Sequence, residues 1–179
     1  MIKPKNSYSV ALTFPGEMET LLTNLREPFR PHMFHAFIPH ITLVYSFLPA
    51  TSMEKVVEKL EAVAALARPF PLELEGIDYF QTVNNVAYIA IKNKEAVKSL
   101  MHDIVIAIRK DVTGYYGGDQ YHLIPHMTIG EKIPAHIFPE VKKRFADIEI
   151  KRKITVTDFV LAGESGGLWE TLQKFKLRG

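Results

Sequence analysis

The chain has 179 residues and no cysteine, so it is long enough to bury a core as one domain, and a disulfide framework, a thiolate zinc site and a thiol nucleophile are all excluded. Its 22 basic and 20 acidic side chains nearly cancel, which argues against a general polyanion coat but leaves room for a small or single-ended anionic substrate. The opening MIKPKNSYSV has no apolar stretch of signal-peptide length, and no later run approaches the roughly 18 apolar residues of a membrane span, so a cytoplasmic protein with no membrane partner is expected.

In chain order, SYSVALTFP alternates so that Tyr8, Val10, Leu12 and Phe14 share one face, which predicts a half-buried strand. Residues 16 to 26 have helical spacing. Residues 28 to 37, PFRPHMFHAF, hold two prolines and no period, and are expected to form a loop carrying His32 and His35. FIPHITLVYSF reads as a second strand. TSMEKVVEKLEAVAALA, 51 to 67, reads as a helix opening on Thr51 and Ser52, with Glu54 placed for a capping box.

Residues 70 to 82 and 86 to 92 read as strands joined across Asn84 and Asn85, since asparagine tolerates turn dihedrals. A second long helix is expected over 94 to 110, with Val97, Leu100, Met101, Ile104 and Ile108 on one side. GYYGG, 114 to 118, is a loop and YHLIPHMTIG a strand. A short helix opened by Pro134 should fill 134 to 145. The end is a hairpin of VTDFVLAGE and LWETLQKFKL around Ser165, Gly166 and Gly167. The basic stretches KKR at 142 to 144 and KRK at 151 to 153 read as solvated faces.

Two parts, each with a long helix, strands and one His-x-Thr strand, predict an α+β fold. It should be bilobal about a pseudo-twofold, with antiparallel sheets flanked by helices and residues 1 to 179 forming a single domain.

FIPHITLVY, 37 to 45, and LIPHMTIGE, 123 to 131, carry the chemistry. Residues two apart on a strand point to one side, so His40 shares a face with Thr42 and His126 with Thr128, while Ile41, Leu43, Met127 and Ile129 anchor the other face in the core. Two imidazoles on opposite sides of a phosphorus suit in-line displacement: the neutral one accepts the proton of the attacking oxygen and the charged one donates to the leaving oxygen. The two hydroxyls can donate to the non-bridging oxygens, where the transition state gathers charge. Nothing in this arrangement requires a metal.

PHITLVY and PHMTIGE resemble the paired H-x-T/S motifs of the two-histidine (2H) phosphoesterase superfamily, in particular its 2′-5′ RNA ligase and cyclic phosphodiesterase branch. The resemblance spans almost the whole chain, from the YSVALTFP strand to the closing hairpin. It implies a bilobal α+β fold and metal-independent action on RNA-type phosphodiesters, notably 2′,3′-cyclic phosphates and 2′-5′ linkages. Catalysis would fall to His40 and His126, with Thr42 and Thr128 as oxyanion contacts, and no cofactor. Some RNA-acting members place a basic residue soon after the second motif. Here the order is Gly130, Glu131, Lys132, so an arginine contact to phosphate is not evident in the sequence.

The expected partner is a small nucleotide or an RNA end, not duplex DNA, and the expected state is a monomer. The alternatives are a nucleotide- or RNA-end-binding module without turnover, and 2′-5′ ligation as the reverse reaction. Four residues before His126, His122 would share its face on a regular strand and border the cleft. Tyr115 and Tyr116, beside Gly117 and Gly118, could stack a base. His32, His35 and His40 resemble a metal spacing, but the first two fall in a proline-rich loop without a further ligand, so no metal site is expected. His102 and His136 read as surface residues, and Trp169 as core.

Overall fold

The computed structural model describes residues 5–33, 37–114 and 124–179. Its strands are β1 (Ser7–Thr13), β2 (His40–Pro49), β3 (Phe70–Phe80), β4 (Asn85–Ile91), β5 (Val112–Thr113), β6 (His126–Ile133), β7 (Lys151–Val156), β8 (Asp158–Ser165) and β9 (Leu168–Lys176). Its helices are α1 (Glu17–Arg26), α2 (Met53–Leu66), α3 (Lys94–Ile108) and α4 (Phe138–Phe145). The strands form one antiparallel sheet in the order β7-β3-β4-β6-β2-β1-β8-β9, with the short β5 beside β2. This is the expected α+β architecture.

The two motif strands meet at the middle of the sheet through the pair Ile41 and Met127, both fully buried. On either side lie three further strands in matching roles: β1 flanks β2 as β4 flanks β6, and β8 and β9 correspond to β3 and β7. The pseudo-twofold extends to irregularities. Ala11 pairs with Thr42 but Val10 with Val44, so Leu43 is an extra residue on β2. Tyr88 pairs with Thr128 but Ala87 with Gly130, so Ile129 is extra on β6. A second bulge follows in each strand: Tyr45 and Ser46 lie opposite Ser9, and Glu131 and Lys132 lie opposite Val86. Each bulge inserts one residue and so switches which face the following side chains occupy.

Helices α2 and α3 bury the apolar faces their spacing predicts, including Val56 and Leu60 on the first and Val97, Leu100, Met101, Ile104 and Ile108 on the second. Fully burying each such aliphatic side chain contributes roughly 1.5–3 kcal/mol, which offsets the entropy of ordering the helix. At Gly130 the backbone needs an absent side chain, because a Cβ there would stand 2.8 Å from Cβ of buried Met33.

Several expectations are corrected. Glu27–His32 is a 3-10 helix rather than a loop, started by Pro28 near its N-terminus. The capping box does not form: Ser52 is the N-cap and its hydroxyl accepts from the Lys55 N–H at 3.4 Å, while the Thr51 hydroxyl donates to Asp111 at 3.2 Å. The last helix begins at Phe138, since Pro134 opens a turn whose carbonyl accepts from Ile137 and Phe138. As expected of a solvated face, the basic side chains of KRKITV are exposed; the segment adds a strand of its own, β7, where Lys153 pairs with Glu73 of β3. The closing hairpin turns as expected, at Gly166 and Gly167, both with positive φ.

Candidate active site

Each motif strand begins at its histidine and is preceded by the dipeptide Ile-Pro. Proline has no N–H and holds the preceding residue extended, so the ladder starts at the histidine and the isoleucine carbonyl is left to accept a side-chain donor. The histidine ring supplies it. Nδ1 of His40 lies 2.8 Å from the Ile38 carbonyl oxygen, and Nδ1 of His126 lies 2.8 Å from that of Ile124. A carbonyl can only accept, so each Nδ1 carries its proton and each Nε2 is the nitrogen left for a ligand.

From the Ile41 and Met127 pair, one step along the antiparallel register sets His40 opposite Thr128 and Thr42 opposite His126. All four line one cavity of about 350 Å³, together with Ser9, Arg26, Tyr45 and Glu131. An aromatic ring flanks each imidazole: Phe37 lies 5.1 Å from His40 and Phe80 lies 5.0 Å from His126, centroid to centroid. Tyr88 lies 5.1 Å from His126 on the neighbouring strand, and its hydroxyl donates to Asp78 at 3.2 Å. Burial, with the Asp78 charge and that hydrogen bond, pushes the Tyr88 phenol up to about 12, so it remains neutral.

Burial holds both imidazoles below the ordinary histidine value of 6.5, although the carbonyl bonds at Nδ1 pull the other way. His40 is lowered further by the charges of His126 and Arg26. A proton on one ring therefore disfavours a proton on the other, which is the condition for one acid and one base in a shared site.

Arg26 is a member that the sequence reading missed. A charged residue ending a short helix reads as surface, yet Arg26 is buried, and its Nε donates to the Ile129 carbonyl and its Nη2 to the Thr128 carbonyl at 3.3 Å. These bonds leave three guanidinium N–H groups over, and the charge persists at any working pH even though burial lowers its pKa. The arginine that the sequence does not show after the second motif thus enters the cavity from α1. Glu131 and Tyr45 were missed because strict alternation would turn both away from His126 and His40, whereas the bulges at Ile129 and Leu43 turn them back.

Trp169 is half-buried in the cavity wall rather than in the core. His102 and His136 are exposed. His32 stacks edge-on with His136 at 6.4 Å, and among the described residues no three His, Asp or Glu side chains gather as a metal set. His35, His122, Tyr115 and Tyr116 lie outside the described residues. Among those described, no helix is long and apolar enough to cross a membrane.

A family profile described as the 2′-5′ RNA ligase superfamily matches residues 14–167. A protein of Halalkalibacterium halodurans, provisionally named a phosphoesterase, is 26% identical over 174 residues, covering 96% of this chain and 97% of its own. The fold matches the crystal structure of TT0787 of Thermus thermophilus with a TM-score of 0.72 at 20% identity, over 97% of this chain and 98% of that one. It matches Escherichia coli LigT in its apo form with a TM-score of 0.67 at 17% identity, over 99% of this chain and 100% of that one. LigT also has crystal structures in complex with 3′-AMP and with phosphate.

Proposed function

From the premise that the chain belongs to the 2′-5′ RNA ligase superfamily, we propose that it hydrolyses 2′,3′-cyclic phosphates or 2′-5′ phosphodiesters of nucleotides and RNA ends, without a metal, using His40 and His126 as the acid/base pair. The observation that carries this reading is the equivalent tethering of the two imidazoles, each bonded through Nδ1 to a carbonyl two residues earlier and each lining the same cavity. A binding pocket for phosphate needs positive charge and has no use for two half-buried groups that lower each other's proton affinity.

In the proposed step, the neutral histidine takes a proton from water through Nε2 as the water oxygen bonds to phosphorus. The protonated histidine gives its Nε2 proton to the departing 2′ or 3′ oxygen as that P–O bond breaks. The Thr42 and Thr128 hydroxyls and the spare Arg26 N–H groups donate to the non-bridging oxygens. In a cyclic phosphate the leaving oxygen stays tethered, so one well-placed acid suffices. The chain would work as a monomeric cytoplasmic domain whose two halves each supply one motif, on small or single-ended substrates.

The test is a panel of 2′,3′-cyclic, 2′-5′ and 3′-5′ compounds incubated with the protein in excess chelator, with His40→Ala as control. Turnover of the first two classes by the wild type alone is expected. Binding of nucleotides without turnover would replace the enzyme reading with a binding module, and activity restored only by added zinc or manganese would reject the metal-free step.

A further inference from the structure

Glu131 takes no part in the proton transfers of the proposed reaction, yet it stands in the cavity wall with both histidines. Its placement there depends on an irregular strand. Counting from His126, an unbroken strand would place Glu131 with Met127 and Ile129 in the core, and the extra residue at Ile129 reverses that placement. The second bulge follows at once, and Lys132 completes it with φ of 57°, a conformation that non-glycine residues adopt at a cost. The equivalent position in the other half, reached through equivalent bulges, is Tyr45, a neutral phenol. The two halves therefore differ at a matched place by one negative charge.

Among the described lining residues, Arg26 is the one basic side chain of the Lys/Arg type and Glu131 the one carboxylate. A phosphodiester carries one negative charge, whereas a phosphomonoester carries between about 1.5 and 2 at pH 7, because its second pKa is near 6. A carboxylate also offers no N–H or O–H to a phosphate oxygen. Resting on the phosphodiesterase reading above, we infer that Glu131 is a specificity-determining residue that sets the cavity for singly charged phosphodiesters and against doubly charged phosphomonoesters. The same repulsion acts on the product. When water's oxygen joins phosphorus and the ester P–O bond breaks, the diester becomes a monoester whose new P–OH loses its proton at neutral pH, and the added charge drives it from the site.

The test compares two inert ligands that differ by one methyl group and one charge, 2′-deoxyadenosine 3′-monophosphate and its phosphate methyl ester, by calorimetry at pH 7.5. The wild type should prefer the diester, and Glu131→Gln, which keeps shape and removes charge, should shift the ratio of affinities toward the monoester by roughly 10-fold, the scale of one extra charge pair across a partly solvated cavity. Glu131→Ala carries the same expectation if the glutamine variant fails to fold. An unchanged ratio in a folded variant that still binds both ligands would overturn the role of Glu131 and leave the phosphodiesterase reading intact. A wild type that binds neither ligand and turns over no cyclic phosphate would overturn both.

Discussion

Arg26 and Thr128 are joined by a hydrogen bond from Nη2 to the Thr128 main-chain carbonyl at 3.3 Å, which ties the end of α1 to the strand bearing the second motif. With the Nε bond to Ile129, the guanidinium holds two successive carbonyls at the bulge of β6. Arg26→Ala should remove the cavity's guanidinium and strand both acceptors, costing about 1–3 kcal/mol of stability in urea unfolding and a large part of kcat. Arg26→Lys should not restore either, because an ammonium cannot reproduce the planar fork. Full activity in the lysine variant would mean that charge alone matters at this position.

His40 and His126 should behave as a unit. Replacing either by alanine should lower kcat by roughly 10²- to 10⁴-fold, with little further loss in the double variant, since a base without its acid is nearly as poor as neither. Both rings are only half-buried, so circular dichroism and melting should show folded proteins. Single-variant losses that multiply in the double variant would point to independent roles.

Much of this site was legible in the sequence for a physical reason: a strand's two-residue period places His40 with Thr42 and His126 with Thr128, and the triplets fall before the bulges begin. Helices α2 and α3 were legible through their 3.6-residue apolar spacing, and the last hairpin through its glycines. What lay beyond was non-local. Tyr45 and Glu131 reach the cavity only because Leu43 and Ile129 are extra residues, which is a property of pairing with β1 and β4 rather than of the strand itself. Arg26 is held at the cavity wall by carbonyls far along the chain, on β6. β7 escaped notice because KRK masks the alternation that its neighbour β3 stabilises.

Register extended from the Ile41 and Met127 pair sets Thr42 opposite His126 and Thr128 opposite His40, and both threonines line the cavity with the histidines. Valine keeps the β-branched shape and removes the donor. Thr42→Val and Thr128→Val should each lower kcat by about 10- to 10³-fold with a smaller change in KM, as expected for a bond that strengthens in the transition state. Unchanged kinetics in both would leave the threonines as strand formers.

The pH dependence follows from the shared depression of the two imidazoles. On the proposed acid/base reading the free protein needs one ring neutral and one charged, and burial holds both below 6.5, so kcat/KM should be bell-shaped with its maximum on the acid side of that value. A bound diester anion favours the imidazolium, so kcat should peak at higher pH than kcat/KM. Stability carries the same sign. Unfolded histidine titrates near 6.5 and the folded rings below it, so between these values the unfolded chain binds more protons and stability falls as pH drops. Above about 6.5 the two rings contribute no further slope. His40→Gln with His126→Gln should flatten the fall in melting temperature between about pH 6.5 and the depressed values. A wild type and double variant with parallel melting curves over that range would show that burial does not lower the two rings.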